Sequence, residues 1–325
     1  MRKKWLFALV ALCLPVAAIC QRGAARPALA TSYAGGVRTV ADLPYRTIDG
    51  EALTLDLYLP PKVDGKRPAV LFVHGGGFIQ GHSRMMGAEK DFPARLAALA
   101  AKGYVVASIE YRLAPKSRFP GQVRDAKAAV AWLRVHSEEY GIDPRRIAIW
   151  GSSAGGMIAA SAGTSCGVQD LDPEGGSAGS GDNCVQAVAD WFGPVIVDSD
   201  RLSLIYLGCL ASLNCDADRM KAASPISHIS PDDPPMQILH GNSDEIVPLA
   251  QSKAFEQALR AAGVEVEFLV VEGAGHGLRA DDPGRQKAIL DDAFASLTGF
   301  LDRTIGSSSL HGGASATAVG GKAGD

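Results

Sequence analysis

The stretch Trp150-Gly151-Ser152-Ser153-Ala154-Gly155-Gly156 decides the fold of this chain. The mostly apolar run 146–150 predicts a short buried strand, and the small, Ala-rich run 154–162 predicts a helix packed closely on a sheet. The glycines of this Gly-x-Ser-x-Gly motif allow a strand to turn directly into a helix, because no side chains fill the turn. Ser153 is then held in a strained conformation with its hydroxyl exposed, which predicts a nucleophile.

Composition and charge are those of an ordinary globular protein. The 325 residues are 47% hydrophobic and 21% charged, which is enough for one large core. The formal net charge of −3 leaves no basic surplus to neutralise phosphates. We therefore expect no nucleic-acid partner.

Residues 1–30 predict a signal peptide. Residues 2–4 are basic, and the apolar residues 5–19 are too few to span a bilayer comfortably. Cleavage is expected after Ala30, while the small residues Val16-Ala17-Ala18 and lipid attachment at Cys20 remain alternatives. We expect an exported protein, periplasmic or secreted, without a stable membrane span.

Four cysteines remain once the predicted leader is removed. An even number in an exported chain indicates two disulfides, although four reduced thiols remain an alternative. Proximity in the sequence favours the pairs Cys166–Cys184 and Cys209–Cys215. The spacings contain no Cys-x-x-Cys unit, so we expect no metal site.

Short apolar strands alternate with helices along the chain, which predicts an α/β fold with a mostly parallel sheet flanked by helices. The predicted strands are 53–59, 69–73, 104–109, 146–150, 185–191, 236–239 and 264–271. The predicted helices are 91–102, 122–140, 154–162, 249–262 and 281–301. The alternation of apolar and polar residues in 53–59 indicates an edge strand with one wet face.

The predicted catalytic domain covers residues 31–304. Two irregular segments interrupt it: a surface insertion at about 164–184, and a lid or pocket wall at about 195–235. Residues 305–325 are rich in Gly, Ser and Ala and are expected to be a disordered tail.

His276 is the predicted base for Ser153. It lies among the glycines of Gly273-Ala274-Gly275-His276-Gly277, directly after the last predicted strand. His240 also ends a strand, but the following Gly-Asn-Ser-Asp favours a structural role for it.

Asp244 is the predicted acid that orients the imidazole of His276. It follows the strand 236–239, so nucleophile, acid and base all follow strands at one edge of a parallel sheet. An alternative is that Asp244 only caps the next helix. Other carboxylates also remain open: Glu245, Asp198 and Asp190.

The run His74-Gly75-Gly76-Gly77 supplies backbone that no side chain covers. The N–H groups of Gly76 and Gly77, with that of Ala154, are predicted to form an oxyanion hole. A phosphate cradle is disfavoured, because no Lys-Ser/Thr pair follows the glycines. We expect no cofactor.

These motifs resemble those of α/β-hydrolases of the hormone-sensitive-lipase-like esterase group, especially the bacterial carboxylesterase/feruloyl-esterase-like branch. The resemblance covers most of the chain after the leader. It rests on the stretches 74–78 (HGGGF), 110–115 (EYRLAP), 140–144 (YGIDP), 151–156 (GSSAGG), 223–226 (ASPI), 240–244 (HGNSD) and 273–277 (GAGHG).

The resemblance implies the α/β-hydrolase fold and the same assignments for the catalytic triad (Ser153, Asp244, His276) and oxyanion donors. Many lipase-like members carry an acidic residue where this chain has Ser152, which favours the carboxylesterase/feruloyl branch. The N-terminal region is short compared with the caps of some members, so a relatively open acyl pocket is expected.

The sequence therefore predicts an exported serine carboxylic-ester hydrolase that works through an acyl-enzyme. The expected substrates are small-molecule or polysaccharide-linked esters, with short acyl or aryl groups. A serine peptidase of the same fold and a non-catalytic binding protein on a hydrolase scaffold remain alternatives. The sequence does not indicate the oligomeric state.

Overall fold

A computed structural model describes residues 26–61, 65–87, 89–174, 183–212 and 215–306. Within these residues the strands are β1 Ser32–Tyr33, β2 Val37–Ile48, β3 Glu51–Leu59, β4 Arg67–Val73, β5 Val105–Ile109, β6 Ile142–Ser152, β7 Ala187–Trp191, β8 Met236–Gly241 and β9 Val266–Val271. The α-helices are α1 Phe92–Ala101, α2 Gly121–Val135, α3 Ser137–Tyr140, α4 Ala154–Thr164, α5 Arg201–Leu207, α6 Ala217–Ala223, α7 Leu249–Ala261 and α8 Pro283–Thr304. Residues 1–25 of the predicted leader and 307–325 of the predicted tail lie outside the described ranges.

The strands form one sheet in the order β1-β2-β3-β5-β4-β6-β7-β8-β9. The pairs from β1 to β3 and the β3–β5 pair are antiparallel, and all the others are parallel. This is the predicted α/β-hydrolase architecture, and the prediction of a mostly parallel sheet is confirmed. The carboxyl ends of the parallel strands therefore meet at one edge of the sheet.

Both faces of the sheet are covered by apolar side chains. In β4, Ala69, Leu71 and Val73 face one cluster, while Val70 and Phe72 face the other. Helices α2, α4 and α7 contribute to the first cluster, and α1 and α8 contribute to the second. Because both faces of this strand are buried, polar and apolar residues do not alternate along it, which explains the continuous apolar run in its sequence.

The prediction of an edge strand at 53–59 was wrong. Strand β3 lies inside the sheet between β2 and β5, because residues 32–48, which the sequence left unassigned, form β1 and β2. The polar residue of the alternation, Asp56, is fully buried and ion-paired with Arg84 at 2.7 Å. Partnered buried polar residues produce the same alternation as a solvated face.

The predicted helix 122–140 is interrupted at His136. This residue leaves helical geometry, with φ −94° and ψ 18°, and separates α2 from the short α3. At the carboxyl end of the domain, Ile305 is 1% exposed and packs in the second apolar cluster. Gly306 is also buried and its N–H donates to the carbonyl of Leu301 at 2.9 Å, so the folded chain extends beyond the predicted domain end at 304.

Both predicted disulfides are present. Cys166 pairs with Cys184, and Cys209 pairs with Cys215, with Cα–Cα distances of 5.2 and 5.5 Å. The second irregular segment is more regular than its sequence suggests, since it contains α5 and α6. None of the helices in the described ranges is long and apolar enough to cross a bilayer.

Candidate active site

The turn between β6 and α4 holds Ser153 in a disfavoured backbone conformation, with φ 54° and ψ −123°. Its N–H donates to the carbonyl of Trp191 at 2.8 Å, which fixes the turn to the neighbouring strand. A Cβ at Gly151 would lie 2.0 Å from the carbonyl oxygen of Gly155, so no other residue fits there. The sequence therefore folds as predicted at this point, with the serine at the apex of a strained turn.

The structure brings Ser153, His276 and Asp244 together from loops after three different strands. Ser153 Oγ lies 2.9 Å from His276 Nε2, and His276 Nδ1 lies 2.7 Å from Asp244 Oδ2. Because a carboxylate only accepts, Nδ1 carries the proton, and Nε2 is free to accept the hydroxyl proton. This tautomer is the one that a general base for the serine requires.

Asp244 is held as a carboxylate by several donors. Its side chain is fully buried, and Oδ1 accepts from the N–H groups of Ile246 at 2.8 Å and Val247 at 2.9 Å. Burial alone would raise the pKa of Asp244. The hydrogen bonds from His240, His276 and the Val247 N–H outweigh it and hold that pKa well below its usual range.

His240 is a buried neighbour of this group that sequence reasoning placed only in a structural role. Its Nε2 lies 2.9 Å from the carbonyl of Val247 and 3.2 Å from Asp244 Oδ2, so it donates to both acceptors. Its Nδ1 accepts from the hydroxyl of Ser252 at 2.7 Å. The four-residue spacing of His240 and Asp244 at a strand end is the signal that could have indicated this contact.

The alternative acids lie elsewhere. Glu245 is exposed at the pocket wall, and Asp198 is exposed and accepts from the N–H of Asp200. Asp190 is buried below the start of α4, where its Oδ1 accepts from the N–H of Gly193 at 2.9 Å. No hydrogen bond joins any of these carboxylates to His276 in the described part of the chain.

The oxyanion loop, residues 74–78, lies against the serine turn. A Cβ at Gly75 would lie 3.2 Å from Ser153 Cβ, and a Cβ at Gly76 only 2.0 Å from the carbonyl oxygen of Gln80. Gly76 also has φ +118°, a conformation that other residues rarely adopt. In the described ranges the N–H groups of Gly76, Gly77 and Ala154 have no hydrogen-bond acceptor.

A cavity of about 590 Å³ opens above these groups. Besides the loop glycines, Ser153 and His276, it is lined by both apolar and polar residues. The apolar ones are Ile79, Met85, Phe192, Leu202 and Ile246, and the polar ones are Gln80, Ser152, Ser243, Glu245 and Arg279. Leu202 comes from the second irregular segment, which therefore forms part of the pocket wall. Within the described residues, no group of three or more His, Cys, Asp and Glu side chains could hold a metal ion.

This arrangement provides the parts for nucleophilic attack on a carbonyl. An alcohol lies within hydrogen-bond distance of an imidazole, a carboxylate on the other side of the ring can stabilise an imidazolium, and free N–H groups stand beside the alcohol. The pocket wall is apolar enough to accept the hydrophobic part of a small substrate.

The chain matches the BD-FAE family over residues 55–259. This range runs from β3 to α7, so it includes the serine turn, the oxyanion loop and Asp244, and ends before His276.

Several curated relatives and solved structures that resemble the chain are named as esterases. Esterase LipC of Mycobacterium tuberculosis is 32% identical over 250 residues, which cover 73% of this chain and 60% of LipC. The chain thus spans about half the length of the curated relatives it matches. Among structures, esterase 2 of Thermogutta terrifontis is 27% identical with a TM-score of 0.66, over 84% of this chain and 95% of that one.

Further structures of the Thermogutta esterase contain bound propionate and bound butyrate. A truncated carbohydrate esterase from gut microbiota is 29% identical with a TM-score of 0.64, over 80% of this chain and 96% of that one.

Proposed function

Because the chain belongs to the BD-FAE family, we propose that it is a serine carboxylic-ester hydrolase with Ser153, His276 and Asp244 as its catalytic triad. The observation that carries this proposal is the continuous hydrogen-bonded series from Ser153 Oγ through His276 to Asp244, beside unpartnered N–H groups. The esterase relatives support the same activity.

In the first step, Ser153 Oγ attacks the ester carbonyl while His276 Nε2 takes its proton. The negative charge that develops on the carbonyl oxygen is stabilised by the N–H groups of Gly76, Gly77 and Ala154. Asp244 stabilises the imidazolium and keeps the ring oriented. His276 then protonates the departing alcohol, which leaves an acyl group on Ser153.

In the second step, water replaces the alcohol. His276 takes a proton from water, the resulting nucleophile attacks the acyl-enzyme, and the same N–H groups stabilise the second oxyanion. Protonation of Ser153 Oγ by His276 releases the acid. No cofactor takes part in this scheme.

We propose small esters with short acyl or aryl groups as substrates. The cavity of about 590 Å³ is large enough for such molecules, and its apolar wall suits their uncharged parts. Propionate and butyrate bound to the Thermogutta esterase support short acyl groups, and the gut carbohydrate esterase supports sugar-linked esters. A chain-length series of p-nitrophenyl esters, beside acetylated and feruloylated sugars, separates these substrate classes.

We also propose that the protein is exported. The basic and apolar residues at its start and its two disulfides support export.

The decisive experiment compares Ser153→Ala with wild type in p-nitrophenyl acetate hydrolysis. The variant should lose activity by about 10⁶-fold and keep its fold, because only the nucleophile is removed. Ser161→Ala, two turns further along α4, is a matched control that should stay active. Wild-type-like turnover by Ser153→Ala would contradict the triad assignment.

Two further assays separate the remaining alternatives. Labelling with a fluorophosphonate, followed by mass spectrometry, should place the adduct on Ser153. Absence of an adduct would favour a binding protein. Amide substrates assayed beside matched esters should be hydrolysed far more slowly, and comparable rates would favour a peptidase.

A further inference from the structure

The oxyanion loop is supported from behind by a side chain of α5. The ring of Phe78, the last residue of the loop, stacks on the ring of Tyr206, with centroids 4.2 Å apart and planes inclined by 23°. Both rings are buried, and Phe119 packs its edge against Tyr206 at 5.7 Å. The contact therefore joins the loop to the second irregular segment through the apolar core.

Phe78 needs this support because its backbone is in a disfavoured conformation. Its φ is +66°, a region that bulky L-residues adopt only when their surroundings hold them there. Its carbonyl accepts from the N–H of Ala114 at 2.8 Å, and its side chain is held by Tyr206. Relaxation of Phe78 to a negative φ would rotate the peptide that joins it to Gly77.

Helix α5 touches the loop at a second point. Leu202, one turn before Tyr206, has its Cδ2 only 3.2 Å from where a Cβ of Gly77 would lie. The helix is fixed at both ends, since Asp200 caps its start and the Cys209–Cys215 disulfide closes the chain just after it. The carbonyl of Tyr206 also accepts from the N–H of Phe119 at 2.9 Å.

The hydroxyl of Tyr206 contributes nothing visible to this contact. It is buried and has no hydrogen-bond partner within the described ranges. The ring is therefore the functional part of the side chain, and its hydroxyl can be removed without loss of the stack.

We propose that Tyr206 is a positioning residue for the oxyanion hole, which acts through Phe78 to aim the N–H groups of Gly76 and Gly77. The inference rests on the proposed function. Because an oxyanion donor stabilises the transition state only when it is aligned in advance, loss of the stack lowers kcat more than it weakens substrate binding.

The test compares Tyr206→Leu with Tyr206→Phe, using p-nitrophenyl acetate. Rates are expressed per active site after titration with a fluorophosphonate, so that unfolded protein does not count. Tyr206→Phe should keep the wild-type kcat because the stack is retained. Tyr206→Leu should lose about 10- to 100-fold in kcat with little change in KM, less than the loss of a whole donor.

A trifluoromethyl ketone provides a second readout, because its adduct with serine carries an oxyanion. Its inhibition constant should rise in Tyr206→Leu by about the same factor as kcat falls. Tyr58→Leu is the matched control: Tyr58 is another buried tyrosine with an unpartnered hydroxyl among the described residues, and it lies on β3 away from the pocket. This control should leave both quantities unchanged.

Phe78→Leu gives an independent test if Tyr206→Leu does not fold. It should reproduce the loss of kcat and of ketone affinity. Where both single variants fold, the double variant should be no worse than either one, since one contact is removed twice.

The inference would be overturned if Tyr206→Leu kept the wild-type kcat per active site and the wild-type inhibition constant for the ketone. Where only Phe78→Leu folds, the same result in that variant would overturn it. The proposed function would stand in either case. A wild-type protein without ester hydrolysis and without a Ser153 adduct would overturn the proposed function itself.

Discussion

His240 and His276 both donate to the same oxygen of Asp244. Their ring nitrogens lie 3.2 and 2.7 Å from Oδ2, and the other carboxylate oxygen is taken by two backbone N–H groups. The carboxylate is thus fixed from several directions before substrate arrives. Such preorganisation is what an electrostatic partner of a catalytic imidazole needs.

We expect His240→Gln to weaken both stability and catalysis. Loss of the buried hydrogen bond to a carboxylate should lower the free energy of unfolding by about 2–3 kcal/mol. The less firmly held Asp244 should lower kcat by about tenfold. Urea unfolding and steady-state kinetics measure the two effects. Ser252→Ala is the control, because it removes only the bond to the other ring nitrogen. An unchanged kcat in His240→Gln would contradict this prediction.

We expect Asp244→Asn to lose about 10⁴-fold in kcat, because an amide neither selects the required tautomer of His276 nor stabilises its cation. Steady-state hydrolysis of p-nitrophenyl acetate measures the loss. Asp198→Asn, on an exposed residue away from His276, should retain wild-type activity. A mild effect of Asp244→Asn, with a severe effect of Glu245→Gln, would move the acid to Glu245.

Gly76→Ala should damage the oxyanion loop specifically. The new methyl would lie 2.0 Å from the carbonyl of Gln80, so the loop must shift. Misalignment of a donor is expected to lower kcat by about 10²–10³-fold. Gly50→Ala is the matched control, since Gly50 has φ +79° but open space around it. Equal kcat losses in the two variants would show that backbone strain alone is responsible.

Asp190 should make stability depend on pH. Burial raises its pKa to about 7 from an ordinary 3.8, and its Oδ2 is buried without a hydrogen-bond partner in the described ranges. The native state therefore keeps a proton that the unfolded state has lost. The free energy of unfolding should fall as pH rises from about 4 to about 7, by up to about 4 kcal/mol, and level off above.

The measurement is urea unfolding at about pH 5 and about pH 8, with Asp190→Asn as reference. The amide oxygen can still accept from the Gly193 N–H, but the variant has no proton to lose. Its stability should fall less than that of wild type between the two pH values. If the free energy of unfolding fell equally in the two proteins between the two pH values, a raised pKa at Asp190 would be refuted.

The contacts of Arg26 and Pro27 are relevant to where the predicted leader is cleaved. Arg26 forms ion pairs with Asp42 and Glu110, and the carbonyl of Pro27 accepts from Arg84 at 2.5 Å. Cleavage after Ala30 would remove these contacts.

We therefore expect the mature protein to retain Arg26, which favours processing at Val16-Ala17-Ala18 over the site after Ala30. Intact mass of the protein exported with its own leader gives the answer directly. A lipidated Cys20 would also keep Arg26, whereas a chain that starts at Thr31 would contradict the prediction.

Local sequence patterns were sufficient to predict the strands in the parallel half of the sheet. The runs that form β4 and β6 are apolar throughout because both faces are covered, and the glycines around Ser153 follow from the tightness of one turn. The antiparallel half was not predictable in this way. Asp56 is polar in an interior strand, and its distant partners Arg84 and Ser83, 28 and 27 residues away, make that possible.

The sequence by itself determined the α/β-hydrolase fold, the disulfide pairs and the candidate nucleophile, base and acid, since each depends on residues close in the chain or on a recognisable motif. Only the tertiary structure decided how these groups meet. The second donor on Asp244 and the stack of Tyr206 on Phe78 join residues from separate elements. Such contacts depend on how the chain packs in three dimensions, and the hydrophobic periodicity of the sequence does not predict them.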